Sequence, residues 1–91
     1  MYCVYILECD NTFFYVGLTA DVKRRLFQHQ NLQSRHTKRY RVMNLVHTEE
    51  FTKRSAAEKR EKQLKGWSKA KKKALIAGDI ELLERLSKPK S

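Results

Sequence analysis

The strongest constraint on this chain is a pair of β-prone runs held apart by turn chemistry near its beginning. Residues 2–8, Tyr-Cys-Val-Tyr-Ile-Leu-Glu, are rich in β-branched and aromatic side chains and are apolar at both alternating positions. A strand with one wet face alternates apolar with polar, so an unbroken apolar run predicts a strand covered on both sides. Asp10-Asn11 supplies turn residues, and Phe13-Phe14-Tyr15-Val16-Gly17-Leu18 reads as a second strand, so the two runs form a hairpin.

The rest of the chain alternates with this hairpin in an orderly way. Thr19 and Asp21 are helix-starting residues, and about Val22 to Leu32 reads as a helix. Residues 33–40 show no periodicity and read as a ligand-facing loop, and Val42 to Phe51 as a third strand. A second helix is expected from about Ser55 to Gly66, with Ser55 as cap and Glu58 completing a capping box. Ser68 caps a third helix through Ala77, Gly78 stops it, and Asp79 caps a short last one. The expected fold class is α+β: a small three-stranded mixed or antiparallel sheet, built as hairpin, helix, strand, helix, flanked by helices, with extra C-terminal helices. Ninety-one residues accommodate one domain, taken as 1–86, with 87–91 as a flexible basic tail.

Composition fits a folded chain, with 41% hydrophobic residues against 33% charged. Cys3 and Cys9 lie at no zinc-ligand spacing and are expected as free, packed thiols. Without a leader-like N-terminus or an apolar run of about 18–20 residues, a cytoplasmic, nucleoid-associated location is expected rather than a membrane one. The net charge of +10 is unevenly distributed: residues 1–20 carry only the acids Glu8 and Asp10, whereas residues 51–73 hold ten lysines and arginines against two glutamates. Segregated positive charge is the footprint of a polyanion binder, because phosphate contacts release condensed counterions. Arg24, Arg35, Lys38, Arg39, Lys65, Lys71, Lys72 and Lys73 are the expected nucleic-acid contacts.

Several polar residues stand where periodicity puts a core. On the first helix, Val22, Leu26 and Leu32 define the inward stripe, and Arg25 and His29, four apart on one face, fall within or beside it. Each is either a partnered core residue or part of a cleft. Glu61 flanks the apolar arc of the second helix, as either a surface carboxylate or a site residue. Arg60 lies inside that arc, where its stem can cover core. Tyr5 and Tyr15 stand on neighbouring strands, open to core packing or to a shared face. Gly17 weakens a strand interior unless something must approach closely.

These residues carry a family resemblance. Val4-Tyr5, then Tyr15-Val16-Gly17, Thr19, Arg24-Arg25-Leu26 and Gln28-His29 resemble the GIY-YIG endonuclease signature, and Glu61-Lys-Gln-Leu-Lys65 is similar to the segment bearing that family's metal-binding glutamate. Short length and the run Arg60 to Lys65 are most like the small stand-alone bacterial subfamily, related to the nuclease subunit that cuts branched DNA. Cys3 and Val4 replace the first motif's glycine and isoleucine, and Leu18 and Gln30 also depart from common family residues.

The resemblance implies a metal-dependent endonuclease acting on DNA, at branches or flaps, in repair or recombination. It assigns Tyr5 as or near the general base, Tyr15 to orienting water or phosphate, Arg25 to stabilising charge on the phosphate, and His29 to proton transfer or phosphate contact. Glu61 would hold one Mg²⁺ or Mn²⁺, and Gly17 would allow backbone and substrate to approach. A non-catalytic nucleic-acid-binding module, or a subunit active only in a larger repair complex, are the alternatives; the chain is expected as a monomer. A phenol titrates near 10, so Tyr5 as base needs positive charge beside it. All five residues, Tyr5, Tyr15, Arg25, His29 and Glu61, are expected to converge on one concave, partly exposed surface.

Overall fold

The computed structural model describes residues 1–10, 13–30 and 43–87. Their order is β1 (Tyr2–Cys9), β2 (Phe13–Thr19), α1 (Val22–Gln30), β3 (Met43–Phe51), α2 (Arg54–Lys65), α3 (Lys69–Ala77) and α4 (Ile80–Ser87). The sheet runs β2-β1-β3 with both pairings antiparallel, so the apolar strand is central. This explains its unbroken hydrophobic run: residues 3–7 are all buried, because helices cover both faces.

Alternation along β1 divides the interior in two. Val4 and Ile6 pack with Phe14 and Val16 of β2 and Ala57 and Leu64 of α2. Cys3, Tyr5, Leu7 and Cys9 point the other way, with Met43, Tyr15 and the α1 residues Val22 and Leu26. Both cysteines are buried free thiols, as expected. Between Ile6 and Leu7 the register to β3 shifts by a bulge at Val46, since Ile6 faces His47 and Leu7 faces Leu45.

Helix ends follow local chemistry except at α2. Asp21 Oδ1 accepts from the Arg24 amide at the start of α1. Ser68 Oγ accepts from Lys71 at α3, and Asp79 Oδ1 from Leu82 at α4. Gly78 ends α3 in the left-handed conformation at φ 71°, which lacks the Cβ clash other residues meet there. The expected capping box at Ser55 does not form. The cap residue is Lys53, without a side-chain bond, and Glu58 instead pairs with Arg54 at 2.8 Å. An extended Lys53 starts the helix before Ser55, which leaves Ser55 inside the first turn with nothing to cap. Helix α4 extends through Ser87, whose hydroxyl donates to the Leu83 carbonyl, so that residue belongs to the helix. Among the described residues, no helix is long and apolar enough to cross a membrane.

Candidate active site

The site starts from Tyr5, at the centre of β1 and opposite Gly17 of β2. The period of two puts Tyr15 on the same face, two residues before Gly17, and the two phenol rings lie 6.2 Å apart. Helix α1 crosses that face and delivers His29. Its ring is 5.1 Å from that of Tyr15 and 5.9 Å from that of Tyr5. Tyr5 Oη and His29 Nε2 are 3.0 Å apart and share a proton whose owner depends on the imidazole tautomer.

Gly17 has a more specific role than general close approach. A Cβ added there would fall on the Tyr5 ring, against Cζ and Oη. The group that needs the missing side chain is therefore Tyr5 itself, which lies across the β2 backbone. This replaces the expectation that Gly17 serves substrate approach.

Exposure also departs from expectation. Tyr5 is 2% exposed and His29 fully buried, so neither lies on an open surface. The cause is α1, which lies over the centre of β1. Tyr15 is half-buried and Arg25 partly exposed, so the buried pair reaches solvent through them. Arg25 sits in an open groove of about 290 Å³ with Thr19, Ala20, Asp21, Arg24 and Gln28. Its Nη1 donates to Gln28 Oε1 at 3.1 Å.

The electrostatics tie these residues together. Burial pushes the Tyr5 phenol up to about 12; hydrogen bonding with Arg25 opposes the shift, and the Glu61 carboxylate across the site adds to it. The Arg25 guanidinium is held above its ordinary value, first by hydrogen bonding with Tyr5, against the cost of burial. Tyr5 in this state is a neutral phenol, and Arg25 alone does not lower it. Glu61 belongs to α2, which packs on the opposite face of the sheet, and is linked to Tyr5 by charge alone; its side chain is 22% exposed and Lys65 Nζ lies 3.4 Å from its carboxylate.

No group of three or more acidic, histidine or cysteine side chains gathers among the described residues. The carboxylate whose charge reaches Tyr5 is that of Glu61. A single carboxylate suits Mg²⁺, which keeps several waters and borrows substrate oxygens, and would not suit a caged zinc ion.

The expected nucleic-acid residues separate by position. Arg24 is exposed beside Arg25, and Lys65 is bound to Glu61. Lys71 covers the Trp67 ring at 4.5 Å, whereas Lys72 lines a groove and Lys73 is exposed. Arg35, Lys38 and Arg39 lie outside the described residues.

One cluster escaped sequence reasoning. Glu49 of β3 accepts from Arg60 Nε at 2.9 Å and Nη2 at 3.1 Å and meets His47 Nε2 at 2.7 Å. Arg60 also donates to Gln63 and stacks over Trp67 at 5.1 Å. Burial works against the Glu49 carboxylate, but the hydrogen bonds from Arg60 and His47 outweigh it and hold it below the usual carboxylate range. The signal available was Arg60 inside the apolar arc of α2; its partner on β3 was not legible.

A family model described as the GIY-YIG catalytic domain matches residues 1–74. The chain belongs to the GIY-YIG family, a family of nuclease domains. It is similar to a UPF0213 protein of Natronomonas pharaonis, 39% identical over 84% of this chain and 91% of that one. A UPF0213 protein of Staphylococcus saprophyticus is 37% identical over 81% of this chain and 92% of its own length. The solution NMR structure of a UPF0213 protein from Bacillus halodurans superposes with a TM-score of 0.56 at 34% identity, covering 85% of this chain and 84% of that one.

Proposed function

We propose that this chain is a divalent-metal-dependent endonuclease that hydrolyses phosphodiester bonds in DNA, at branched or flapped structures, in repair or recombination. The observation that carries the reading is the Tyr5–His29 contact at 3.0 Å, with Arg25 hydrogen-bonding to the same phenol. A core tyrosine satisfied by a histidine needs no arginine beside it as well.

In this reading the attacking water gives its proton to the Tyr5 oxygen while Tyr5 passes its own to His29 Nε2, so the phenol never carries a full charge. Such a relay accommodates a phenol that burial keeps neutral. Tyr15 orients the water from the solvent side. Arg25 meets the negative charge that builds on the phosphate as the new phosphorus–oxygen bond forms and the bond to the leaving oxygen breaks, the leaving oxygen taking up a proton from solvent water. Glu61 would hold Mg²⁺ or Mn²⁺, which when bound supplies Lewis-acid polarisation of the phosphoryl group. Arg24, Lys65, Lys72 and Lys73, together with the 33–41 segment, bind the phosphate backbone.

The decisive experiment incubates the protein and Glu61→Gln with branched, flapped, single-stranded and duplex DNA, with Mg²⁺, Mn²⁺ or EDTA. Cleavage of at least one substrate, abolished by EDTA and by Glu61→Gln while binding persists, is expected. Arg25→Ala should lose about 10²- to 10³-fold in rate. Salt-sensitive binding without cleavage of any substrate would make the chain a binding module, and full activity of Glu61→Gln would remove Glu61 as the metal ligand.

A further inference from the structure

A second groove of about 250 Å³, sharing no lining residue with the Arg25 groove, has as its walls Phe13, Phe14, Tyr15, Val16, Lys65 and Lys72. Its floor is the first half of β2, an edge strand of the sheet. Phe13 is 43% exposed at the rim, although the neighbouring Phe14 is buried. Tyr15 belongs to both this groove and the Tyr5–His29 cluster, so the two are continuous. Lys65 connects them a second time through its ion pair with Glu61.

The lysines differ in what they lack. Lys65 has its carboxylate, and Lys69 lies over the Phe14 ring at 6.0 Å. Lys72 is half-buried, burial lowers its pKa, and no salt bridge joins it to a carboxylate among the described residues. A cation that is partly desolvated without an anion is costly, and an incoming anion relieves that cost. A partly exposed aromatic side chain lining one basic groove with such a cation is the arrangement by which single strands are held: a base stacks on the ring and the backbone phosphate meets the lysine. In a duplex the bases are already stacked on one another and shielded from such a ring. Only a nucleotide freed from pairing can use it.

We propose that this groove is a subsite for one unpaired nucleotide beside the scissile phosphate, its base stacked on Phe13 and its phosphate against Lys72. The position beside the scissile bond rests on the nuclease reading; the binding of an unpaired nucleotide does not. The subsite defines the substrate class as nucleic acid with a single-stranded segment leaving the site along β2, and separates it from continuous duplex.

The test measures binding in EDTA, by anisotropy of labelled DNA, so that cleavage plays no part. Three probes are used: an oligothymidylate, a flapped duplex and a blunt duplex. Phe13→Ala and Phe13→Leu are expected to weaken oligothymidylate and flap binding by about 5- to 150-fold, the range for one lost base–aromatic stack. Blunt duplex binding should stay within about twofold, and Phe13→Tyr should bind like the parent. Lys72→Gln should weaken single-strand binding and reduce its salt slope by about 0.7, the value for one phosphate. The proposal is overturned if Phe13→Leu binds the oligothymidylate as the parent does, or if blunt duplex weakens equally. Cleavage failing while the Phe13 effect persists would sink the nuclease reading and leave the subsite standing.

Discussion

The two faces of the sheet are built from the same strands and differ in almost everything else. Toward α2, the interior is Val4, Ile6, Phe14, Val16, Ala57 and Leu64, and among the described residues the one buried polar side chain, His29, lies on the other face. Toward α1, the same β1 backbone turns Tyr5 and two thiols inward, and a fully buried histidine rather than an aliphatic residue meets Tyr5. The apolar face gains stability from each methyl group it removes from water. The other face spends part of that stability on polar groups whose hydrogen bonds must be made inside the protein. In the proposed reading Tyr5, Tyr15, Arg25 and His29 belong to this second face, and Glu61 alone comes from α2.

Breaking the apolar face should have the largest effect on stability and the least on chemistry. Leu64, fully buried against the sheet, leaves a cavity when shortened, so Leu64→Ala is expected to cost about 2–5 kcal/mol in denaturant unfolding. The cleavage rate per folded molecule should stay near that of the parent. A rate that collapses while the protein remains folded would mean that the two faces are not separable in this way.

On the other face, Gly17→Ala drives a methyl group into the Tyr5 ring. Overpacking of this kind costs about 1–3 kcal/mol, less than the Leu64 cavity, but it displaces the phenol. The phenolate absorbance should report it: in the parent Tyr5 ionises at about 12, and in Gly17→Ala part of that burial is lost and the titration moves down toward the ordinary value. Unchanged titration with unchanged cleavage would show that the β2 backbone yields and that Gly17 does not fix the ring.

The smallest effect is at the margin, where Glu49 ties β3 to Arg60 of α2. Its carboxylate is depressed in the folded state, so the pair adds stability above the unfolded pKa of about 4.3, and that contribution is lost as pH falls through the lower folded value. With both partners near one-quarter exposed, the gain is about 0.2–1 kcal/mol. Glu49→Gln should therefore flatten the acid limb of the stability curve and leave the neutral-pH midpoint slightly lower. A steeper acid limb in the variant would reverse the assignment.

The sequence by itself determined the elements and much of their order. An apolar run without alternation required a strand covered on both faces, and Asp21, Ser68, Gly78 and Asp79 marked helix ends through bonds that depend only on near neighbours. It left open whether Tyr5 and Tyr15 share a face, which the hairpin register decides by setting Tyr5 opposite Gly17. What it misjudged locally was the start of α2, where Ser55 and Glu58 fit a pattern that an earlier helix start made void. Only the tertiary structure decided the rest. Whether His29 was core or site depended on where α1 crosses the sheet, and the answer joins the two: a buried histidine bonded to Tyr5. Lys71, Lys72 and Lys73 are interchangeable as letters in a basic run, yet the helix turns them apart by about 100° each. One then stacks on Trp67, one lines the groove beside Tyr15, and one faces water. Local bonds are set by spacing along the chain, whereas burial and charge partners depend on which distant element comes to lie opposite, and that is fixed only when the two faces of the sheet are packed.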